Sequence, residues 1–513
     1  MSSLSSYGRL AGAALVLIRA DALMPREVDP VLPRAARVCA RVLRLFRDRR
    51  ATKGLRPGER LAAALERLGP VGIKLGQFLS TRADILGPAF ADDLSRLKDR
   101  LAPFPLDQAR AEVAAALGAP AEALFAEFGE AVAGASLAQA HRARLIGGRA
   151  VAVKVLRPGI EARVAADIDA LRTAARLAEA WAPAARRLEP RAFAETVIRA
   201  LDLELDLRFE AAGADELRAV MAHDGYMRAP AVVWEGVARR VLTLEWATGA
   251  PLSDPAALEI PGLDRPTLAN NLIRAFLAQA LDHGVFHADL HEGNLFVAAP
   301  ARLTAVDFGI VGRLGPGERR YLAEILWGFL RRDYARVAKV HFEAGYVPEH
   351  HDPAAFAQAL RAVGEPVFGL TAREVSMGRL LAQLFEITAL FDMRLRPELV
   401  LLQKTMVTVE GVARRIDPDN DIWAAAEPVV ARWIARELSP AARLRDFAVE
   451  ARAALTTLAR MSEPPPATEL TPPAPEAPAL QPARALHPTV WFFAGAAASA
   501  LAFVLAVALR AGR

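Results

Sequence analysis

The sequence predicts an α+β fold, with a mixed core between two helical regions and one apolar helix at the end. Short β-like runs at 151–155, 241–246 and 303–306 fall inside a segment from about 120 to 311, separated by helical stretches. An arginine-rich helical pattern at 35–65 precedes that segment. Helical spacing returns from 318 to about 461, clearest at 321–330 and 399–412. The composition then shifts to proline, and after it to residues without charge. The expected organisation is a helical extension at 1–119, a core at 120–315, a further helical part at 316–462, a linker at 463–488 and a membrane helix at 489–509.

Each element has a physical basis. At the N-terminus the apolar stretch 10–18 is short and lacks a cleavage pattern, so it reads as the start of a surface helix and not as a signal peptide. The run Val151-Ala152-Val153-Lys154 is short, apolar and β-branched, as a buried strand should be. Prolines such as Pro464, Pro465, Pro466, Pro472 and Pro473 prevent a helix in 463–488 and leave an extended, semi-rigid linker. The charge-free stretch 489–509 is long enough, as a helix of roughly 30 Å, to span a bilayer core. Trp491, Phe492 and Phe493 stand at one end of it, and Arg510 and Arg513 at the other. Gly495, Ala496, Ala497, Ala498 and Ser499 suit packing against another helix, and a homodimer is among the expected associations.

Composition narrows the function. The chain has 513 residues, 53% of them hydrophobic, and a net charge of +5, which fits contact with an anionic membrane surface. No basic run with interleaved aromatics is present, so no nucleic-acid partner is expected. The single cysteine, Cys39, excludes an intrachain disulfide and a cysteine metal site, and suits a reducing compartment. The basic residues are nearly all arginine, with lysine only at Lys53, Lys74, Lys98, Lys154, Lys339 and Lys404. A lysine inside a motif then implies that its compact ammonium matters, which singles out Lys74 and Lys154. The other four are read as chance.

Phosphoryl transfer requires phosphates held in place and charge neutralised by cations and metal ions. Lys154 ends a strand as the ATP-binding lysine of protein kinases does. In His287-Ala288-Asp289-Leu290-His291-Glu292-Gly293-Asn294, an aspartate is followed five residues later by an asparagine, the catalytic-loop spacing, with Ala288 where arginine is usual. Asp307-Phe308-Gly309 comes thirteen residues after Asn294 and directly after the run 303–306. On this reading Asp289 is the catalytic-loop carboxylate, and Asn294 and Asp307 hold Mg2+ against ATP. A G-x-G-x-x-G loop is missing before Val151; Ala133-Gly134-Ala135-Ser136 and the residues up to His141 stand in its place, small enough for backbone to approach phosphate. No Ala-Pro-Glu follows Asp307, so a peptide-docking segment is not expected. Glu245 and Trp246 end a strand where a hinge would contact adenine, and 312–317 reads as a turn. His141 and His291 are expected to orient loops.

With these motifs in place, the chain resembles the UbiB family of atypical kinases, the aarF-domain or ADCK-type proteins linked to ubiquinone biosynthesis. The resemblance covers about 68–330. It rests on the K-x-G-Q signature Lys74-Leu75-Gly76-Gln77, the alanine-rich loop 133–141, the E-x-D signature Glu204-Leu205-Asp206, and Glu210 where the family places the partner of the strand lysine. It implies a bilobal protein-kinase-like fold and assigns the ATP and metal roles to Lys154, Glu210, Asp289, Asn294 and Asp307. It also implies that the K-x-G-Q segment folds over the site, which pairs Lys74 with Glu204. On one continuous helix Asp206 and Glu210, four apart, would share a face while Glu204 points elsewhere. Gly134 departs from the family's usual alanine, towards ordinary kinases. Bacterial members often carry two C-terminal spans; 489–509 has room for one.

The expected function is an atypical kinase or ATPase at the membrane that supports ubiquinone biosynthesis, with membrane lipids, quinone precursors or the biosynthetic enzymes as partners. ATP places the catalytic part in the cytoplasm, on a single-pass protein of the inner membrane. The alternative is a nucleotide-regulated scaffold for the same enzymes without phosphotransfer. Direct ring hydroxylation is rejected, because no flavin fold, metal-oxygen site or dinucleotide fingerprint is present.

Overall fold

The computed structural model describes residues 3–23, 34–80, 86–95, 97, 102–181, 189–367, 387, 390–393 and 397–437. The N-terminal region is helical: α1 (Ser3–Arg19), α2 (Arg34–Leu43), α3 (Pro57–Leu68), α4 (Pro70–Ser80), α5 (Pro88–Ser95) and α6 (Leu106–Leu117). The pattern at 35–65 is thus two helices and not one. The first run stops where Arg47 turns extended, and Pro57 opens α3 at a position that needs no amide hydrogen. The Glu59 side chain reaches back to accept from the Arg56 amide at 2.8 Å. Leu17, Leu61, Leu65, Leu94 and Leu97 pack into a core of their own. A Cβ on Gly72 would run into the backbone carbonyl of Leu65, and one on Gly76 into the ends of Leu97 and Leu65, so both glycines let α4 lie close to its neighbours.

A four-stranded antiparallel sheet follows in the order β1 (Phe125–Gly134), β2 (Ala138–Leu145), β3 (Ala150–Leu156) and β4 (Val241–Glu245). The runs at 151–155 and 241–246 are β3 and β4. β1 and β2 lack a continuous apolar run, and β1 carries register shifts, so part of the alanine-rich loop is strand. Along β3, alternation decides what each side chain does. Val151, Val153 and Val155 are fully buried against Val113 of α6, while Ala152, Lys154 and Leu156 line the other face. Between β3 and β4 come α7 (Ile160–Trp181), α8 (Pro190–Glu204) and α9 (Leu207–Asp224).

The larger lobe begins with β5 (Ala250–Pro251) and α10 (Arg265–Ala278), then β6 (Val285–His287), β7 (Leu295–Ala298), β8 (Arg302–Ala305) and β9 (Val311–Arg313). Two small sheets, β5-β7-β8 and β6-β9, bracket the segments that carry Asp289 and Asp307. The expected turn at 312–317 is instead the end of β9 followed by the start of a helix. Helices α11 (Pro316–Leu330), α12 (Tyr334–Glu343), α13 (Pro353–Gly364), α14 (Pro397–Ile416) and α15 (Ile422–Glu437) complete the described chain. α14 and α15 pack on α10, and one apolar core runs from there through Phe276 and Phe286 to Leu201 and Leu217 beneath the sheet.

The arrangement is a bilobal kinase-like fold with helical extensions, but the expected C-terminal transmembrane helix is corrected. Among the described residues no helix is long and apolar enough to cross a membrane. α7, the longest, carries Glu161, Arg163, Asp167, Asp169, Arg172, Arg176 and Glu179, a charge at nearly every turn. The stretches 463–488 and 489–509 lie outside the described residues.

Candidate active site

A cleft of about 1510 Å³ lies between the lobes. β3 delivers Lys154 to it, and Lys154 Nζ donates to both carboxylate oxygens of Glu210 on α9, at 2.8 and 2.9 Å. It also donates to Asp307 Oδ1 at 3.2 Å. One ammonium thus joins the small lobe, its helix and the Asp-Phe-Gly segment. Burial pushes the Glu210 carboxyl up to about 7, against the pull of Lys154. The neighbouring Lys154 charge holds Asp307 down at about 2. The two acids in turn raise Lys154 despite its burial, so it stays charged.

Asp307 sits at φ 63°, a left-handed backbone that a non-glycine residue adopts at a cost of order 1–3 kcal/mol. Its neighbours hold it there. Phe308 is buried, with its ring 5.2 Å from that of His287. His287 is fully buried: Nδ1 accepts from the Asp289 amide at 3.1 Å and Nε2 donates to the Val306 carbonyl at 3.2 Å. Burial lowers its pKa, so a neutral ring ties the catalytic loop to the strand before Asp307. Asn294, which lines the cleft, donates from Nδ2 to the Asp289 carbonyl at 3.0 Å and so holds the ends of this loop together. Asp289 lines the cleft, with His291 Nε2 3.7 Å from its carboxylate.

The N-terminal extension forms one wall. Lys74 and Gln77 of α4 face the cleft, on the side of the helix away from Gly72 and Gly76. Lys74 is ion-paired with Glu204, the last residue of α8. Asp206 does something different from what a continuous helix would give. The helix breaks at Leu205, and Asp206 becomes the N-cap of α9, accepting from the Arg208 amide at 3.2 Å and from its guanidinium at 2.6 and 2.9 Å. Glu204 and Glu210 therefore belong to different helices and meet different lysines.

Ala133, Gly134, Ala135 and Ser136 line the cleft at the β1–β2 turn, closed by the Ala135 amide donating to the Ala138 carbonyl at 2.8 Å. Gly134 is in extended strand and not in the left-handed region, so its backbone angle does not require glycine. Below the turn, Gln139 exchanges hydrogen bonds with the backbone of Phe104 at 2.8 and 3.1 Å and contacts His141. His141, buried, ties β2 to Gly129 of β1, strand to strand, where a loop contact was expected. Glu245 lines the cleft, but its amide and that of Trp246 are already taken by the Ala231 and Ala150 carbonyls. A ligand's contact at this edge therefore falls to carbonyl oxygens or to Ala247.

The ABC1 atypical kinase-like domain matches residues 96–341, and the UbiB helical domain matches 360–421. A probable protein kinase UbiB of Marinobacter nauticus is 40% identical over 395 residues, covering 76% of this chain and 72% of that protein. The chain belongs to the UbiB family. A UbiB protein of Pseudomonas paraeruginosa is 39% identical over 419 residues, covering 79% of each chain. A solved structure of Rv3197 with erythromycin, from Mycobacterium tuberculosis, aligns with a TM-score of 0.49 at 22% identity over 71% of this chain and 93% of that one, too distant to add to the argument.

The UbiB helical region also contributes to the cleft, which the sequence reading missed. Leu401, Lys404 and Thr408 of α14 line it, spaced three and four apart on one helix face, as does Phe193 of α8. Lys404, read from the sequence as chance, lies on this wall of the cleft. Its signal was the scarcity of lysine, but no neighbouring motif marked it.

Proposed function

We propose that the chain is an atypical kinase or ATPase that binds Mg-ATP in the inter-lobe cleft and works at a membrane surface in support of ubiquinone biosynthesis. The observation that carries the reading is the convergence of Lys154, Glu210, Asp289, Asn294 and Asp307 on one cleft, with Lys154 bridging Glu210 and Asp307. Hard oxygen donors suit Mg2+, and an ionised Asp307 carboxylate and the Asn294 amide, both lining the cleft, would fit that ion. When bound, Mg2+ would neutralise the phosphates. Lys154 would orient the phosphates, kept charged and aimed by Glu210. Asp289 would take the proton from the attacking oxygen. The α4 wall over the cleft, with no peptide-docking signature after Asp307, favours a small or lipid acceptor such as a quinone precursor.

Membrane contact is supported by α2 and the short turn after it. Val38, Val42, Leu45 and Phe46 are exposed, Leu45 and Phe46 by 77% and 63%, among Arg37, Arg41, Arg44 and Arg47. Exposed apolar side chains set among arginines suit the interface of an anionic bilayer. This surface needs no spanning helix.

The test is ATP hydrolysis by the full chain, with and without anionic vesicles and a phenolic quinone-precursor mimic. Turnover that vanishes in D307N and rises with vesicles supports the reading. Tight Mg-nucleotide binding without turnover in any condition would move it to the nucleotide-regulated scaffold.

A further inference from the structure

Three cations line the cleft, and all are lysines: Lys74, Lys154 and Lys404. Two are already balanced. Lys74 pairs with Glu204, and Lys154 with Glu210 and Asp307. Lys404 is half-buried and has no carboxylate partner among the described residues. Holding an ammonium part-way out of water without an acid is unfavourable unless an anion arrives.

Its position is fixed next to the catalytic loop. Thr405 Oγ1, one residue on, donates to the Ala288 carbonyl at 3.1 Å, and Ala288 precedes Asp289. Three turns further along the same helix, Arg415 is ion-paired with Glu292 of that loop. These two contacts clamp α14 against 288–292, and Lys404 faces the cleft between them and Leu401. The loop itself, 287–294, contains neither lysine nor arginine. The charge that develops on a transferred phosphoryl group needs a cation close to the attacking side. The catalytic loop does not supply one, and the helical region does.

We infer that Lys404 is a second phosphate-binding cation of this site, in addition to Lys154, contacting the terminal phosphate of the bound nucleotide from the α14 side. The inference rests on the Mg-ATP reading above. In hydrolysis the bond from the terminal phosphorus to its bridging oxygen breaks, and that oxygen leaves on ADP with the electron pair. A water oxygen bonds to phosphorus and its proton passes to Asp289. Lys404 transfers nothing; it holds the equatorial oxygens and offsets their charge.

The experiment uses the full chain and the variants K404M and K404R, with Mg-ATP, Mg-ADP and AMP as probes and melting temperature as the folding control. K404M is expected to lose roughly ten- to a hundredfold in kcat or in ATP affinity. AMP affinity should stay within twofold, and K404R should recover most of the loss. Equal kcat and ATP affinity in K404M and the wild type would overturn the assignment. So would a K404M defect confined to turnover stimulated by anionic vesicles, since the lysine would then serve an anionic acceptor and not the nucleotide. The two readings separate through Asp307. If the wild type binds no nucleotide, or D307N changes nothing, the Mg-ATP site itself falls. If D307N abolishes turnover while K404M does not, only the role of Lys404 falls.

Discussion

Two lysine–glutamate pairs face the same cleft, and they differ in what they connect. Lys154 and Glu210 lie within the kinase-like core, between a central strand and the helix packed under it. Lys74 and Glu204 join the N-terminal extension to that core across 130 residues of chain. The first pair sits on elements held by strand pairing and a continuous apolar core. The second depends on α4 lying close to its neighbours, which Gly72 and Gly76 permit. The first pair is therefore built within the kinase-like core, and the second ties the N-terminal wall of the cleft to it. Damage to the first pair should abolish activity without unfolding the chain. Damage to the second should change stability and access while leaving the phosphate-binding groups intact.

The largest expected effect separates the two. K154M should lower ATP turnover by roughly a hundredfold or more, with little change in melting temperature. K74A should keep a measurable fraction of turnover and change nucleotide association and release rates instead, as stopped-flow with a fluorescent nucleotide would read. Equal losses in both variants would erase the distinction. Next in size is G72A, which forces a methyl group onto a backbone carbonyl and should destabilise the extension by about 1–3 kcal/mol in denaturant unfolding. G76A meets only side-chain ends and should cost less; the reverse order would mean that α4 is not held as described. A double-mutant cycle over Lys74 and Glu204 should give a coupling of about 0.5–3 kcal/mol, and the swap K74E/E204K should recover part of it.

The smallest effect concerns pH. The Glu210 carboxyl is raised from an ordinary 4.5 to about 7 in the folded chain. Between those values the folded chain holds a proton that the unfolded chain has released, so the Glu210 contribution is greatest at the acidic end and is lost as pH rises through about 7. Melting temperatures of the nucleotide-free chain against those of E210Q should differ in slope across that window. Parallel curves would show that Glu210 is ionised throughout, and that the core pair is as ordinary as a surface one.

The core was legible in the sequence where burial leaves a continuous apolar signature, as at β3 and β4. β1 and β2 were not, since one face of each meets solvent and alanine replaces larger apolar residues. The site motifs were legible because phosphate and metal chemistry restricts residue type and spacing. What failed was local backbone geometry. Asp206 was placed on a helix face, although an aspartate before an apolar helix is also an N-cap, and only the structure decides between them. Lys404 was invisible because its meaning comes from a helix that returns to the loop 117 residues away, at the Thr405–Ala288 contact. Family membership and the kinase-like core could be read from the motifs. The terminal membrane helix was read from composition alone, and no described helix supplies one.

The break at Leu205 and Asp206 also works as a ruler. Glu204 ends one helix and Glu210 lies in the first turn of the next, so the distance between the two acids is set by a corner and not by a spiral. Removing one residue from that corner would turn Glu210 by about 100° around its helix, away from Lys154. Lengthening it would draw Glu204 from Lys74. The interval between these acids should therefore tolerate a change of side chain at Phe209, which is exposed, far better than any change in the number of residues.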